Sequence, residues 1–160
     1  MTPNIRKILV PTDFSPRSDA ALDYAAALAT PLNAAVHLVH VVEEPFAGEW
    51  EMYVRAAQEI RDQLDADARS RLATAVERLD PRAVPVSTGI RHGSAFEGIL
   101  YEAKAIGADL IVMGTHGRSG LSHLMLGSVA ERVIRGAHCP VLAVRTLGAP
   151  NAGAAESSAA

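Results

Sequence analysis

The hydrophobic positions of this chain switch between two periods. Ala35 to Val42 and Leu110 to Met113 are nearly continuous apolar runs, the pattern of strands covered on both faces of a parallel sheet, and Ile5 to Val10 forms the first strand pattern. Between them apolar residues recur every three or four positions. Leu22, Ala25, Ala26, Leu28 and Ala29 make one such stripe, and Ile60, Leu64, Ala68, Leu72, Val76 and Leu79 a second. Phe96, Ile99, Leu100, Ala103 and Ile106 make a third. Val84 to Ile90 alternates as a half-buried strand does, and Pro85 at its beginning suits the sheet's outer edge. Pro140 to Val144 reads as the last strand. Strands alternating with helices predict right-handed crossovers, a parallel sheet and a doubly wound three-layer α/β sandwich.

The punctuation agrees with this reading. Pro11-Thr12-Asp13 ends the first strand, Ser15 is placed to cap a helix, and Pro16 suits its first position because an N–H there has no helical partner. The alanine-rich stripe that follows should let this helix lie close to the sheet. Asp80-Pro81 stops the long second helix, whose Arg, Asp and Glu residues read as a solvated face and not a binding patch. Ser94 and Glu97 have capping-box spacing, and Gly107 ends the third helix. Gly127-Ser128 opens a fourth helical pattern with Val129, Val133 and Ile134 on one face; Ser128 reads as its N-cap, with Glu131 completing the box. From Thr146 onward Gly, Ala, Pro, Asn and Ser follow without period, so one domain over 1–145 and a disordered tail over 146–160 are expected.

Composition narrows the function classes. The chain of 160 residues is 49% hydrophobic and 21% charged, which suits a single globular domain with a substantial core. A net charge of -3 offers no bulk attraction to polyanions, and 4% aromatic residues are too few for base-stacking platforms, so nucleic acid is not an expected partner. No apolar run approaches the roughly 20 residues of a membrane helix. Cys139, the single cysteine, cannot form an intramolecular disulfide and reads as a small buried hydrophobe. The N-terminus runs into a strand where a signal peptide would carry its apolar stretch, so a cytoplasmic location is expected.

The chemistry concentrates between Asp109 and Val129, in D-L-I-V-M-G-T-H-G-R-S-G-L-S-H-L-M-L-G-S-V. A buried strand, a glycine-punctuated loop and a helix start follow one another there, which is the order of a phosphate site. Glycines at 114, 117 and 127 let backbone N–H groups approach an anion, and a helix N-terminus adds partial positive charge. Neither G-x-x-x-x-G-K-[ST] nor a G-x-G-x-x-G after a strand occurs, and G-R-S-G misses the G-x-S-x-G nucleophile elbow by one residue. The loop lacks a lysine to clamp β- and γ-phosphates, and no base for an attacking water stands out, so efficient phosphoryl transfer is not expected. His37 and His40 interrupt the second strand and read as core or edge histidines; no zinc-ligand spacing accompanies them.

The spacing Gly114, Gly117, Gly127-Ser128, or G-x2-G-x9-G-S, resembles the ATP-binding signature of the universal stress protein family. The likeness extends to V-P-T-D-F-S at 10–15, L-V-H-V-V at 38–42 and C-P-V-L-A-V at 139–144, and covers residues 4 to 145. It implies a five-stranded sheet of order 3-2-1-4-5, of the adenine nucleotide alpha-hydrolase-like type, with the ligand at the reversal between strands one and four. It also implies that Gly117, Gly127, Ser128 and Val129 hold the triphosphate, that Met113 and Gly114 lie at the strand end with Gly114 against the ribose, and that Val41 lines the adenine pocket. Pro11, Thr12 and Asp13 would edge the adenosine; Asp13 has as alternatives a magnesium ion beside the phosphates or a turn-forming role. Arg118 can reach a terminal phosphate or be a solvated loop charge, His116 and His123 can touch phosphate, sense pH or be loop histidines that do neither, and Trp50 can cover a ligand or a partner surface or be a packing anchor. The family's frequent G-x-P turn is replaced by Gly93-Ser94-Ala95. The implied function is an ATP-binding regulatory switch in the stress response with slow or no hydrolysis, homodimeric through Pro140–Val144 and acting on unknown protein partners. The alternatives are a weak ATPase, and a module for AMP, cyclic AMP or protein partners only.

Overall fold

A computed structural model describes residues 4–43, 54–80, 82–115 and 126–145. The elements run β1 (Lys7–Pro11), α1 (Pro16–Leu32), β2 (Ala35–Val42), α2 (Val54–Glu77), β3 (Val86–His92), α3 (Ala95–Ile106), β4 (Leu110–Gly114), α4 (Ser128–Gly136) and β5 (Val141–Val144). The five strands form one parallel sheet in the order β3-β2-β1-β4-β5. The expected topology is therefore observed, with β3 at an edge as its proline suggested.

The pleat sorts the apolar runs between two layers. Ile8 and Val10, Val36 and Leu38, and Leu110 and Val112 face one side, where Ala21, Leu22, Ala25 and Ala29 of α1 meet Leu72 and Ala75 of α2. Leu9, Val39, Ile111 and Met113 face the other, against Ile99 and Ala103 of α3 and Ala130 and Val133 of α4. Small residues bring α1 close to the sheet: a Cβ at Gly114 would lie 3.3 Å from the Arg17 carbonyl oxygen. Gly136 serves α4 similarly, since a Cβ there would sit 2.7 Å from a Leu100 methyl.

Several boundaries differ from the expectations. β1 spans Lys7–Pro11, shifted toward Pro11, and β3 begins at Val86, where the Pro85 carbonyl accepts the Val36 N–H at 2.9 Å, and stays paired with β2 as far as His92. Val84 is buried ahead of the strand, its N–H turned to the Asp80 carbonyl. Ser15 caps α1 as expected, accepting the Ser18 N–H at 3.3 Å. Ser94 occupies the α3 N-cap without a side-chain bond, so that capping box is not formed. The α4 N-cap is Gly127 and not Ser128, since the Glu131 N–H bonds the Gly127 carbonyl at 2.9 Å and leaves Ser128 as the first helical residue. Residues 146–160, expected to be disordered, lie outside the described residues.

Candidate functional site

β1 and β4 separate above Leu9. Toward β2, β1 stays in register as far as Pro11↔Val39, while toward β4 the register ends at Leu9↔Ile111. The Thr12 N–H still reaches the Val39 carbonyl at 2.8 Å. Donors alternate sides along a parallel ladder, so residue 11 would direct its N–H toward β4, and proline has none to satisfy. The sheet thus opens where its winding reverses, and a crevice of ≈ 690 Å³ fills the gap.

The β1–α1 turn forms one wall and is braced from within. Phe14 holds φ 61°, in the left-handed region, at a cost of about 1–2 kcal/mol for an L-residue. Its N–H bonds Thr12 Oγ1 at 2.9 Å, and its ring lies between His40, 4.4 Å away, and the Arg71 guanidinium at 4.3 Å. Thr12 Oγ1 and Ser18 Oγ, both buried, are hydrogen-bonded at 3.0 Å, and the Thr12 carbonyl bonds His40 Nδ1 at 2.8 Å. Asp13 Oδ1 accepts the Ser15 N–H at 3.0 Å. Burial pushes the Asp13 carboxyl up, but hydrogen bonds from the Ser15 hydroxyl and backbone, with Ser18 adding, outweigh it and hold the group below the usual aspartate value. Asp13 is therefore an anion at neutral pH.

The opposite wall is the start of α4. The Gly127 N–H bonds the Thr115 carbonyl at 2.7 Å and the Thr115 N–H bonds the Val144 carbonyl at 3.2 Å, so Thr115 and Gly127 are tied together at the carboxyl end of β4 and β5. Gly127 has no side chain with which to cap. The N–H groups of Ser128, Val129 and Ala130 have no acceptor within the helix, and all three residues line the crevice. The floor is Pro11, Val41 and Met113, with Ile99 from α3. Val41 is fixed by Gly98, where a Cβ would lie 2.8 Å from a Val41 methyl.

Nine of the expected site residues thus line one crevice: Pro11, Thr12, Asp13, Val41, Met113, Gly114, Gly127, Ser128 and Val129. Gly117 and Arg118 lie outside the described residues, as do His116, His123 and Trp50. The sequence model of the Universal stress protein family matches residues 4–145. The chain belongs to the universal stress protein family. Universal stress protein MJ0531 of Methanocaldococcus jannaschii is 37% identical over 146 residues, covering 88% of this chain and 82% of that protein. The solved structure of MJ0577 superposes with a TM-score of 0.80 at 32% identity, covering 91% of this chain and 99% of the other. A universal stress protein solved in complex with cAMP gives a TM-score of 0.66 at 23% identity over 88% and 97% of the two chains, a likeness of fold.

Three features of this universal stress protein escaped the sequence reading. His40 lines the crevice, although its strand position marked it only as a core or edge residue. Asp67 and Arg71 of α2 also line it, which corrects the reading of the polar α2 face as merely solvated. Helical periodicity marks which face of α2 is apolar, and it cannot say that the flank of that face overhangs the sheet's carboxyl end. Gly114 carries a packing role beside its place in the crevice, under the Arg17 backbone. Cys139 is half-buried against the α3/α4 layer, and burial, with Asp109 nearby, pushes its thiol up, in keeping with an inert side chain. No described helix is long and apolar enough to cross a membrane.

Proposed function

We propose that this protein binds ATP in the β1/β4 crevice and acts as a nucleotide-dependent regulatory switch, with slow or negligible hydrolysis. The observation that carries the reading is the α4 start: three successive crevice-lining residues whose N–H groups have no helical acceptor, opposite an ionised Asp13. Such a helix start is suited to phosphate. The apolar floor at Pro11, Val41 and Met113 suits a flat base, and Gly117 with Arg118 continues the phosphate-binding segment in the sequence.

Asp13 fits magnesium as a single protein ligand, with phosphate oxygens and water completing the shell, because the ion is usually held by one or two carboxylates. No group of three or more potential His, Cys, Asp or Glu metal ligands occurs among the described residues. When bound, the ion would neutralise phosphate charge. Asp13 would hold its position, and the helix N–H groups would orient the phosphates. Arg71 is the cation among the described crevice-lining side chains, and it belongs to the Phe14 wall. That arrangement favours binding over turnover.

Calorimetry on nucleotide-stripped protein with ATP, ADP, AMP and cyclic AMP tests the proposal, beside a Gly117→Asp variant that places an anion among the phosphates. Micromolar ATP binding that is lost in the variant is expected. Failure of both proteins to bind any nucleotide would overturn it and leave a module that works through protein contacts. The apolar strand Val141–Val144 has no strand beyond it among the described residues, which supports a homodimer paired along that edge. Sedimentation of the protein and of a Leu142→Lys variant checks this, the variant being expected to run as a monomer.

A further inference from the structure

A second cluster of reactive groups lies on the edge pair β2–β3, outside the crevice. His37 and Ser87 are register partners on these strands, on the face that meets α3. His37 Nδ1 is 2.7 Å from Ser87 Oγ, and His37 Nε2 is 2.7 Å from Glu102 Oε1. Glu102 is 4% exposed, and its other oxygen bonds the Arg91 guanidinium. Two residues before Arg91 the strand carries Gly89, where a Cβ would come within 2.9 Å of His37 Nε2 and 3.0 Å of Glu102 Oε1. Only glycine lets the imidazole–carboxylate pair lie across the strand.

The protonation pattern follows from the donors available. An ionised carboxylate is acceptor-only, so the imidazole directs an Nε2–H at Glu102, and the tautomer that carries this proton alone offers its Nδ1 lone pair to Ser87. The Ser87 hydroxyl must then donate to Nδ1. This is the order nucleophile, base and orienting acid. Ser87 is exposed, as a nucleophile must be. The Val36 N–H bonds the Pro85 carbonyl with Val36 opposite Val86, so donors alternate and the Thr88 N–H points to the outer edge of β3. A backbone donor beside the nucleophile is what a developing oxyanion requires.

We propose that Ser87, His37 and Glu102 form an acyl-accepting site for small activated esters at β3, the outermost strand of the sheet on that side among the described residues. Ser87 Oγ attacks the carbonyl carbon and its proton passes to His37 Nδ1. The ester C–O bond breaks, the leaving alkoxide takes that proton, and Ser87 retains the acyl group until water repeats the cycle in the same sense. Glu102 and Gly89 are positioning residues: one fixes the tautomer, the other the space.

A small alkyl fluorophosphonate tests the site, because it forms an O–P bond at an activated serine as its P–F bond breaks, with the serine proton and fluoride released. Peptide mass mapping of the full-length protein should place the adduct on Ser87, at least tenfold faster than in urea-denatured protein. Ser87→Ala, an exposed change, should remove it, and His37→Gln should slow it roughly 100-fold or more, as loss of a general base does. If His37→Gln does not fold, Gly89→Val, which displaces the imidazole, replaces it with the same expectation. Absence of a Ser87 adduct above the denatured rate, or equal labelling without the imidazole in place, would overturn the proposal and leave the cluster as a structural tie for Glu102.

Discussion

The two walls of the crevice satisfy their polar groups in opposite ways. The β1–α1 turn uses its own side chains: Thr12 accepts the Phe14 N–H and pairs with Ser18, Ser15 caps the helix, and Asp13 takes the Ser15 N–H. That closed network holds the left-handed Phe14 in place. The α4 start has a glycine at the N-cap, no side-chain cap, and backbone donors left over. One wall is therefore pre-organised and saturated, and the other is unsaturated toward the space between them. A binding site needs both, since rigidity without spare donors has nothing to offer a ligand.

The largest expected effect comes from opening the saturated wall. Thr12→Val keeps the shape but leaves the Phe14 N–H without its acceptor and removes one bond of the buried Ser18 hydroxyl, which keeps its bond to the Ser15 carbonyl, a cost of about 2 kcal/mol. In a chain of this size that lowers Tm by roughly 4–8 °C, and nucleotide affinity should fall with it. Thermal unfolding checks the first and calorimetry the second; an unchanged Tm would show that the brace is incidental.

Saturating the open wall should act in the other direction. Gly127→Ser is compatible with the extended backbone at φ -64° and ψ 150°, and its hydroxyl would cap α4 for a gain of about 0.3 kcal/mol. It would do so by occupying an N–H otherwise directed at phosphate. Slightly higher stability with roughly tenfold weaker ATP binding is the expected pair of outcomes, at about 1.4 kcal/mol for the lost interaction. Equal or tighter ATP binding would break the contrast between the walls.

The smallest effect concerns Asp13 and acid. Its folded carboxyl lies below the ordinary value, so its contribution to stability is present above the unfolded value and is lost as pH falls through the lowered folded one. Asp13→Asn should flatten the acid limb of a plot of Tm against pH below the ordinary aspartate range and leave its shape near neutrality unchanged. An identical acid limb would place the hydrogen bonds of the turn elsewhere.

Much of this was legible in the chain. Nearly continuous apolar runs alternating with helical stripes identify a parallel sheet with two covered faces, because burial on both sides leaves few polar positions in its central strands. Glycine spacing marks where backbone can meet an anion. The details that depend on competing donors were not legible. Ser128 and Glu131 have capping-box spacing, yet the cap fell on Gly127 because the Thr115 carbonyl takes the Gly127 N–H and fixes where the helix begins.

Sequence alone determined the order of elements, the family and the segment that carries the phosphate-binding pattern, because these rest on local period and local motif. Tertiary structure decided what no local pattern contains. It brought His40 beside Phe14, placed Asp67 and Arg71 of a solvated-looking face on the crevice, and set Ser87, His37 and Glu102 in line. Those last three lie 50 and 65 positions apart, and only strand register and the close approach allowed by Gly89 join them.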